Sequence, residues 1–267
     1  MQGVGLEPQS HACEAVRKIK PNCKSVTGFY VSRKGRKLIF ESKLERDAYI
    51  LLDFEPCVKD VIAQPLCWKF HRIGNYIPDC SIIMALGQTI AEIKHESELV
   101  EAWPKLSVKY FAANNYCLSN GLKFGFVTDA FVYHPRYRLG ILKQIRFLGS
   151  AKDANDYVQN QLVNILQSEG PTTIKSLAEE IDAQLDYAQR IGEICKLLCR
   201  GSAQVVKTPT PHLPDCVISA PEYNTAEESC ARVISFEQLL ERIRTHPYRH
   251  LSRGGLFAEL WKPRKDS

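Results

Sequence analysis

Two carboxylates and one lysine carry most of the chemistry that this 267-residue sequence offers. Pro78-Asp79 lies in one β-rich run, Tyr76–Ala85, and Glu92-Ile93-Lys94 in the next, Thr89–His95, with Leu86-Gly87-Gln88 reading as a hairpin between them. Side chains two apart on a strand share a face, so Glu92 and Lys94 project together while Ala91 and Ile93 point the other way. A turn centred between Ala85 and Leu86 sets Asp79 opposite Glu92, and a turn one position further on sets it opposite Lys94. Either register gathers two acids and an ammonium on a sheet otherwise built from Ile82, Ile83, Ile90 and Ile93. Such a trio is costly among apolar side chains unless it is solvated, paired or bound to a metal. Oxygen ligands of this kind suit Mg2+, which keeps several waters and takes phosphate as a further partner. The ion polarises a phosphodiester and lowers the pKa of a bound water, which a neighbouring lysine can orient or deprotonate. The spacing alone fits equally an exposed strand face on which Lys94 pairs with Asp79 or Glu92.

A third carboxylate comes from the element that must sit beside this hairpin. Residues 41–55 read as a helix, with Leu44, Ala48, Leu51 and Leu52 at helical spacing and Pro56 ending it. Ser42-Lys43-Leu44-Glu45 is a capping box, in which Glu45 closes the backbone at Ser42. The same Glu45 is the candidate third acid, with Glu41 as the alternative if the cap consumes it. Val58–Ile62 and Leu66–His71 read as short strands around a Gln64-Pro65 bend. A helix centred on Lys105–Asn114 follows Trp103-Pro104, and Phe124–Thr128 is an apolar strand of the kind buried on both faces. Strands between and after two helices predict a mixed α/β domain over residues 41–150.

The pattern changes after Gly149-Ser150. Residues 153–168 and 174–200 read as helical, and with Gly201 and Val205-Val206 they suggest a small winged-helix-like α domain over 151–206. Residues 207–267 read as a proline-rich linker and a basic tail. The net charge is +5, yet residues 15–40 hold eight basic side chains and no acid, so residues 1–40 read as a basic N-terminal arm. Within it Arg33, Lys34, Arg36 and Lys37 are candidate DNA-phosphate contacts. The ten cysteines include no CxxC pair, which favours reduced, buried thiols over zinc. No apolar run approaches the roughly 20 residues of a membrane span, and a cytoplasmic location is expected.

The ordered set Ser42-x-Leu44-Glu45, Asp53-Phe54-x-Pro56-x-Val58, Gln64-Pro65, Tyr76-x-Pro78-Asp79 and Glu92-Ile93-Lys94 resembles the N-terminal nuclease domain of TnsA. TnsA is the endonuclease subunit of heteromeric cut-and-paste transposons, and its domain belongs to the restriction-endonuclease-like PD…(D/E)xK class. The resemblance implies a restriction-endonuclease-like mixed sheet flanked by helices. It makes Glu45, Asp79, Glu92 and Lys94 catalytic, with the three acids binding Mg2+ or Mn2+, and sets Gln64 beside the site. It implies hydrolysis of the 5′ strands at transposon-end DNA, beside an integrase-type, TnsB-like transposase and an AAA+, TnsC-like regulator. Two other readings stay open: an assembly module on a nuclease fold that does not cut, and a stand-alone restriction or repair nuclease.

Overall fold

The computed structural model describes residues 26–70, 74–85, 87–150, 153–181, 184–221 and 233–245. The chain opens with a hairpin, β1 (Gly28–Val31) and β2 (Lys37–Phe40), followed by α1 (Lys43–Asp53). Helix α1 begins where sequence places it, because the Ser42 hydroxyl accepts the Glu45 N–H at 3.1 Å. Next come β3 (Val58–Ala63), the short pair β4 (Trp68–Phe70) and β5 (Gly74–Tyr76), then β6 (Cys80–Met84) and β7 (Gly87–Lys94). Helices α2 (Glu96–Glu101) and α3 (Trp103–Ser119) lead to β8 (Lys123–Thr128), α4 (Asp129–Val132) and α5 (Arg136–Leu148).

The main sheet has five strands, with β3, β6 and β7 mutually antiparallel in that order and β8 parallel to β7. Helices cover both of its faces. Period-two alternation divides the strands between two cores: Cys80, Ile82, Ala91 and Ile93 face α1 and α5, whereas Ile90, Phe124 and Phe126 pack with the Trp103, Tyr110 and Ala113 side of α3. Glu92 and Lys94 share the parity of Ile90 and so belong to the α3 side. The result is a mixed α/β fold with a five-stranded mixed sheet.

Four expectations change. The run Tyr76–Ala85 is not one strand: β5 ends at Tyr76 and pairs with β4, with Trp68 opposite Tyr76, so this aromatic pair stands outside the main sheet. The 174–200 block breaks in two, α7 (Ile174–Glu180) and α8 (Tyr187–Cys199), each with its own cap at Thr173 or Asp186. With α6 (Asp156–Glu169) before them they surround a second sheet of β9 (Thr172–Thr173), β10 (Gln204–Lys207) and β11 (Val217–Ser219). Strand β11 lies between the other two, so 207–221 is part of this unit and not a linker.

The third of these changes concerns the arm: its residues 28–40 are a hairpin, with Leu38 fully buried in the α1 core. Residues 1–25 lie outside the described residues. The fourth concerns the tail. Strand β12 (Ile234–Ser235) adds to the β8 edge of the main sheet, and α9 (Phe236–Thr245) follows it. Gly125 permits the approach, since a Cβ there would stand 2.6 Å from Val233 Cγ1 and 2.8 Å from the Ile234 carbonyl. Phe236 lies 4.8 Å, centroid to centroid, from Phe111 in an edge-on pair. Of the basic tail residues only Arg242 and Arg244 are described.

A solvated tail would tolerate truncation of Phe236, but a core anchor would not. Phe236→Ala is therefore expected to destabilise the protein by about 3–5 kcal/mol, read from the urea unfolding midpoint.

Candidate active site

Strand pairing selects one of the two registers. Met84 pairs with Gly87 and Cys80 with Ala91, which continues to Asp79 facing Glu92. Asp79 sits one residue before β6, where its carbonyl accepts the Gln64 N–H at 2.9 Å and the Tyr49 hydroxyl at 3.1 Å. Its carboxylate oxygen Oδ2 accepts the Ile93 N–H at 2.8 Å and Lys94 Nζ at 2.9 Å. Lys94 Nζ also lies 3.3 Å from Glu92 Oε2 and donates to the Ile93 carbonyl at 3.3 Å. The two acids and the lysine thus form one ion cluster at the end of the β6–β7 pair, with Glu92 only 2% exposed.

Glu45 approaches from α1. Its backbone N–H is capped by the Ser42 hydroxyl, while its side-chain Oε2 accepts the Glu41 N–H at 2.8 Å. Cap and site therefore do not exclude each other, because Glu45 also lines an open cleft of about 520 Å3 with Lys94, Lys43, His95, Glu98 and Tyr133. Glu41 sits one step back, taking the Gln64 amide Nε2 at 3.4 Å. Among the described residues Gln64 is the backbone outlier apart from glycines: its φ of 47° lies in the left-handed region, and its buried Oε1 has no hydrogen-bond partner there. Each of these features costs on the order of 1–3 kcal/mol.

The electrostatics follow from burial and crowding. Burial first, and then the neighbouring Asp79 charge, push both Glu45 and Glu92 up to about 7 from the ordinary 4.5. For Lys94, burial alone would lower the pKa, but Asp79 and Glu92 outweigh it and hold the ammonium well above its ordinary value. Among the described residues no three His, Cys, Asp or Glu side chains converge into a ready ligand cage. Lys94 instead stands among three oxygens, those of Asp79, Glu92 and the Ile93 carbonyl. Hard oxygen donors with excess negative charge are the set Mg2+ prefers, so the donor chemistry fits that ion.

The basic candidates divide. The Arg33 guanidinium donates to the Asp53 carbonyl and, at 2.9 Å, to the Leu198 carbonyl, and lies over the Phe54 ring. It ties the hairpin to α1 and α8 and is spent internally. Arg36 pairs with Asp60 at 2.7 Å. Lys34 and Lys37 are exposed, Lys37 over the Phe29 ring, and these two remain positioned for a polyanion. His95, directly after Lys94, lines the cleft as well, 3.2 Å from Asp129. Tyr49 reaches the site from α1, one turn after Glu45, and Tyr133 from the end of α4. Cys195 is buried in the core that α8 joins, and the partly buried Cys199 packs against it.

No protein-family model and no curated protein matches this chain.

The raised carboxyls have a measurable sign. In the unfolded chain both titrate near 4.5, so between about 4.5 and 7 the folded state binds more protons. Their contribution to stability is complete below the lower value and is lost as pH rises through the upper one. In EDTA the Tm of wild type should fall between pH 5 and 8 relative to Glu92→Gln, whose neutral amide flattens the profile. Mg2+ should narrow that difference at pH 8. Differential scanning fluorimetry across pH reads both effects.

Proposed function

We propose that the chain is a Mg2+-dependent DNA endonuclease of the PD…(D/E)xK kind, the transposase subunit that hydrolyses the 5′ strands at transposon ends. The observation that carries this reading is the gathering of Asp79, Glu92 and Lys94 into one ion cluster with Glu45 on its cleft. Support comes from element order, since α1, β3, β6, β7, α3 and β8 follow the α, β, β, β, α, β sequence of a restriction-endonuclease-like core.

Glu45, Asp79 and Glu92 are the residues that would hold Mg2+, or Mn2+ in its place. When bound, such an ion polarises the phosphodiester and acidifies a water. The chain's own groups do the rest. The Ile93 N–H fixes the Asp79 carboxylate, and Tyr49 and Gln64 fix its carbonyl. Lys94, paired with Asp79 and Glu92, is placed to donate to the charge building on the phosphoryl oxygens.

Residues 156–219 add a second line of support. Helix, strand, two helices and a two-stranded hairpin, with sheet order β10-β11-β9, follow the winged-helix arrangement. Its third helix, α8, is buried from Ile191 to Leu198 except at Gly192 and Lys196, and its Cys195 and Cys199 lie against the end of α5 at Gly149. A helix so covered does not enter a major groove. The unit therefore serves protein contact, and an AAA+ regulator is the partner proposed for it, with the integrase-type transposase alongside.

The test is strand-specific cleavage of transposon-end DNA with Mg2+ and a partner integrase-type transposase. Asp79→Ala and Lys94→Ala should each lower 5′-strand cleavage about 100-fold or more. Retention of wild-type 5′ cutting by both variants would falsify the site. For the hairpin, Lys34→Ala with Lys37→Ala should reduce the slope of log affinity against log salt by about one per lysine in an anisotropy titration. Arg33→Ala should instead lower Tm, because its guanidinium is committed to the Asp53 and Leu198 carbonyls.

A further inference from the structure

Tyr76 carries a hydroxyl that the fold encloses, and among the described residues nothing closes a hydrogen bond with it. The residue ends β5 with Trp68 opposite. Its ring is held by Trp68 at 5.4 Å, Phe70 at 6.0 Å and Tyr110 at 6.3 Å, centroid to centroid, with Lys109 Nζ 4.8 Å over its face. Phenylalanine would fill the same cage without the cost of about 1–3 kcal/mol that an unpaired buried hydroxyl carries. The charge that acts on this phenol most strongly is Glu92, which is also the acceptor that its O–H faces. Register agrees with that placement: Glu92 pairs with Phe126 across β7 and β8, and the Phe126 ring lies 5.1 Å from that of Tyr110. Lys94 meets the same carboxylate through Oε2 at 3.3 Å.

A carboxylate that ligates a metal ion is itself fixed by hydrogen-bond donors, which set its orientation. A neutral phenol is such a donor. We propose that Tyr76 is a positioning residue for Glu92, its hydroxyl donating to that carboxylate and holding it in the orientation in which it would take Mg2+. The inference rests on the nuclease reading above. The break between β5 and β6 is what allows the contact. In one continuous strand Tyr76 and Asp79, three residues apart, would point to opposite faces of the sheet. Because Tyr76 leaves the main sheet to pair with Trp68, it escapes that parity, and both residues reach Glu92: Asp79 across the β6–β7 pair, Tyr76 from the aromatic side.

Tyr76→Phe keeps the ring and removes the hydroxyl. In EDTA its Tm should equal or exceed that of wild type, since an unpaired buried group is lost. Calorimetric titration with Mn2+ should nevertheless give an affinity about 10-fold weaker. Tyr110→Phe removes an equally buried, unpaired hydroxyl from the same core and should bind Mn2+ as wild type does. Glu92→Gln, run in parallel, should weaken Mn2+ binding as the loss of a ligand. If it does so while Tyr76→Phe binds as wild type, the inference alone is overturned and Tyr76 is a packing residue. An equal loss in Tyr76→Phe and Tyr110→Phe overturns it too, by assigning the effect to the aromatic core at large. Wild type that takes up no Mn2+, or Glu92→Gln that binds it as tightly as wild type, removes the nuclease reading and the inference together.

Discussion

Asp79 and Glu92 share a single ammonium at the point where β6 and β7 end, and much of the fold can be traced to holding that arrangement. Like charges in a poorly hydrated place repel, so the sheet must fix what electrostatics would push apart. It does so with main-chain groups. The Ile93 N–H pins the Asp79 carboxylate, while Gln64 and Tyr49 pin its carbonyl. The register that sets Asp79 across from Glu92 is in turn locked by the apolar alternation of both strands, since a one-residue slip would turn Ile82 and Ile93 out of the α1 core.

That alternation also explains why the sheet needs cover on two sides. One face is closed by α1 and α5, and the other by α3, the β4–β5 pair and α9. The aromatic side holds Trp68, Tyr76, Trp103, Tyr110, Phe124, Phe126 and Phe236. It is assembled from segments far apart in the chain. The two sheets are not separate bodies either: one apolar cluster runs from α1 through α5 to α8 and β11, and Arg33 spans it with bonds to Asp53 and Leu198. The acid cluster therefore sits on a rigid frame, which is what a site with little tolerance for displacement needs.

What sequence made legible was local or periodic. The shared face of Glu92 and Lys94, the capped start of α1 at Ser42 and the apolar β8 strand all follow from spacing within a few residues. Pairing across distance left no such mark. Counting charge over residues 15–40 treated Arg33 and Lys34 alike, yet Asp53 is a partner 20 residues away and Leu198 lies 165 away. Tyr76 read as part of the strand carrying Asp79, because an apolar run does not reveal that its first residue pairs with Trp68 instead. Phe236 lay in a stretch whose basic residues suggested a tail, and only the gap left by Gly125 shows why β12 can close on β8.

Burial of charge alone would not single out this cluster, because the molecule has another one nearby. Asp47 is fully buried, yet Arg46 and Lys143 lie at 3.0 and 2.9 Å and the Tyr133 hydroxyl donates to it. One acid there meets two cations and a hydroxyl, so the charge is overcompensated and the network is complete as it stands. Around Lys94 the balance is reversed. Asp79 and Glu92 divide one lysine, and Glu45 on the adjoining cleft has no ion-pair partner among the described residues. The Asp47 network balances its own charge, whereas the Asp79–Glu92 cluster keeps a deficit of positive charge, the quantity that the proposed Mg2+ would supply.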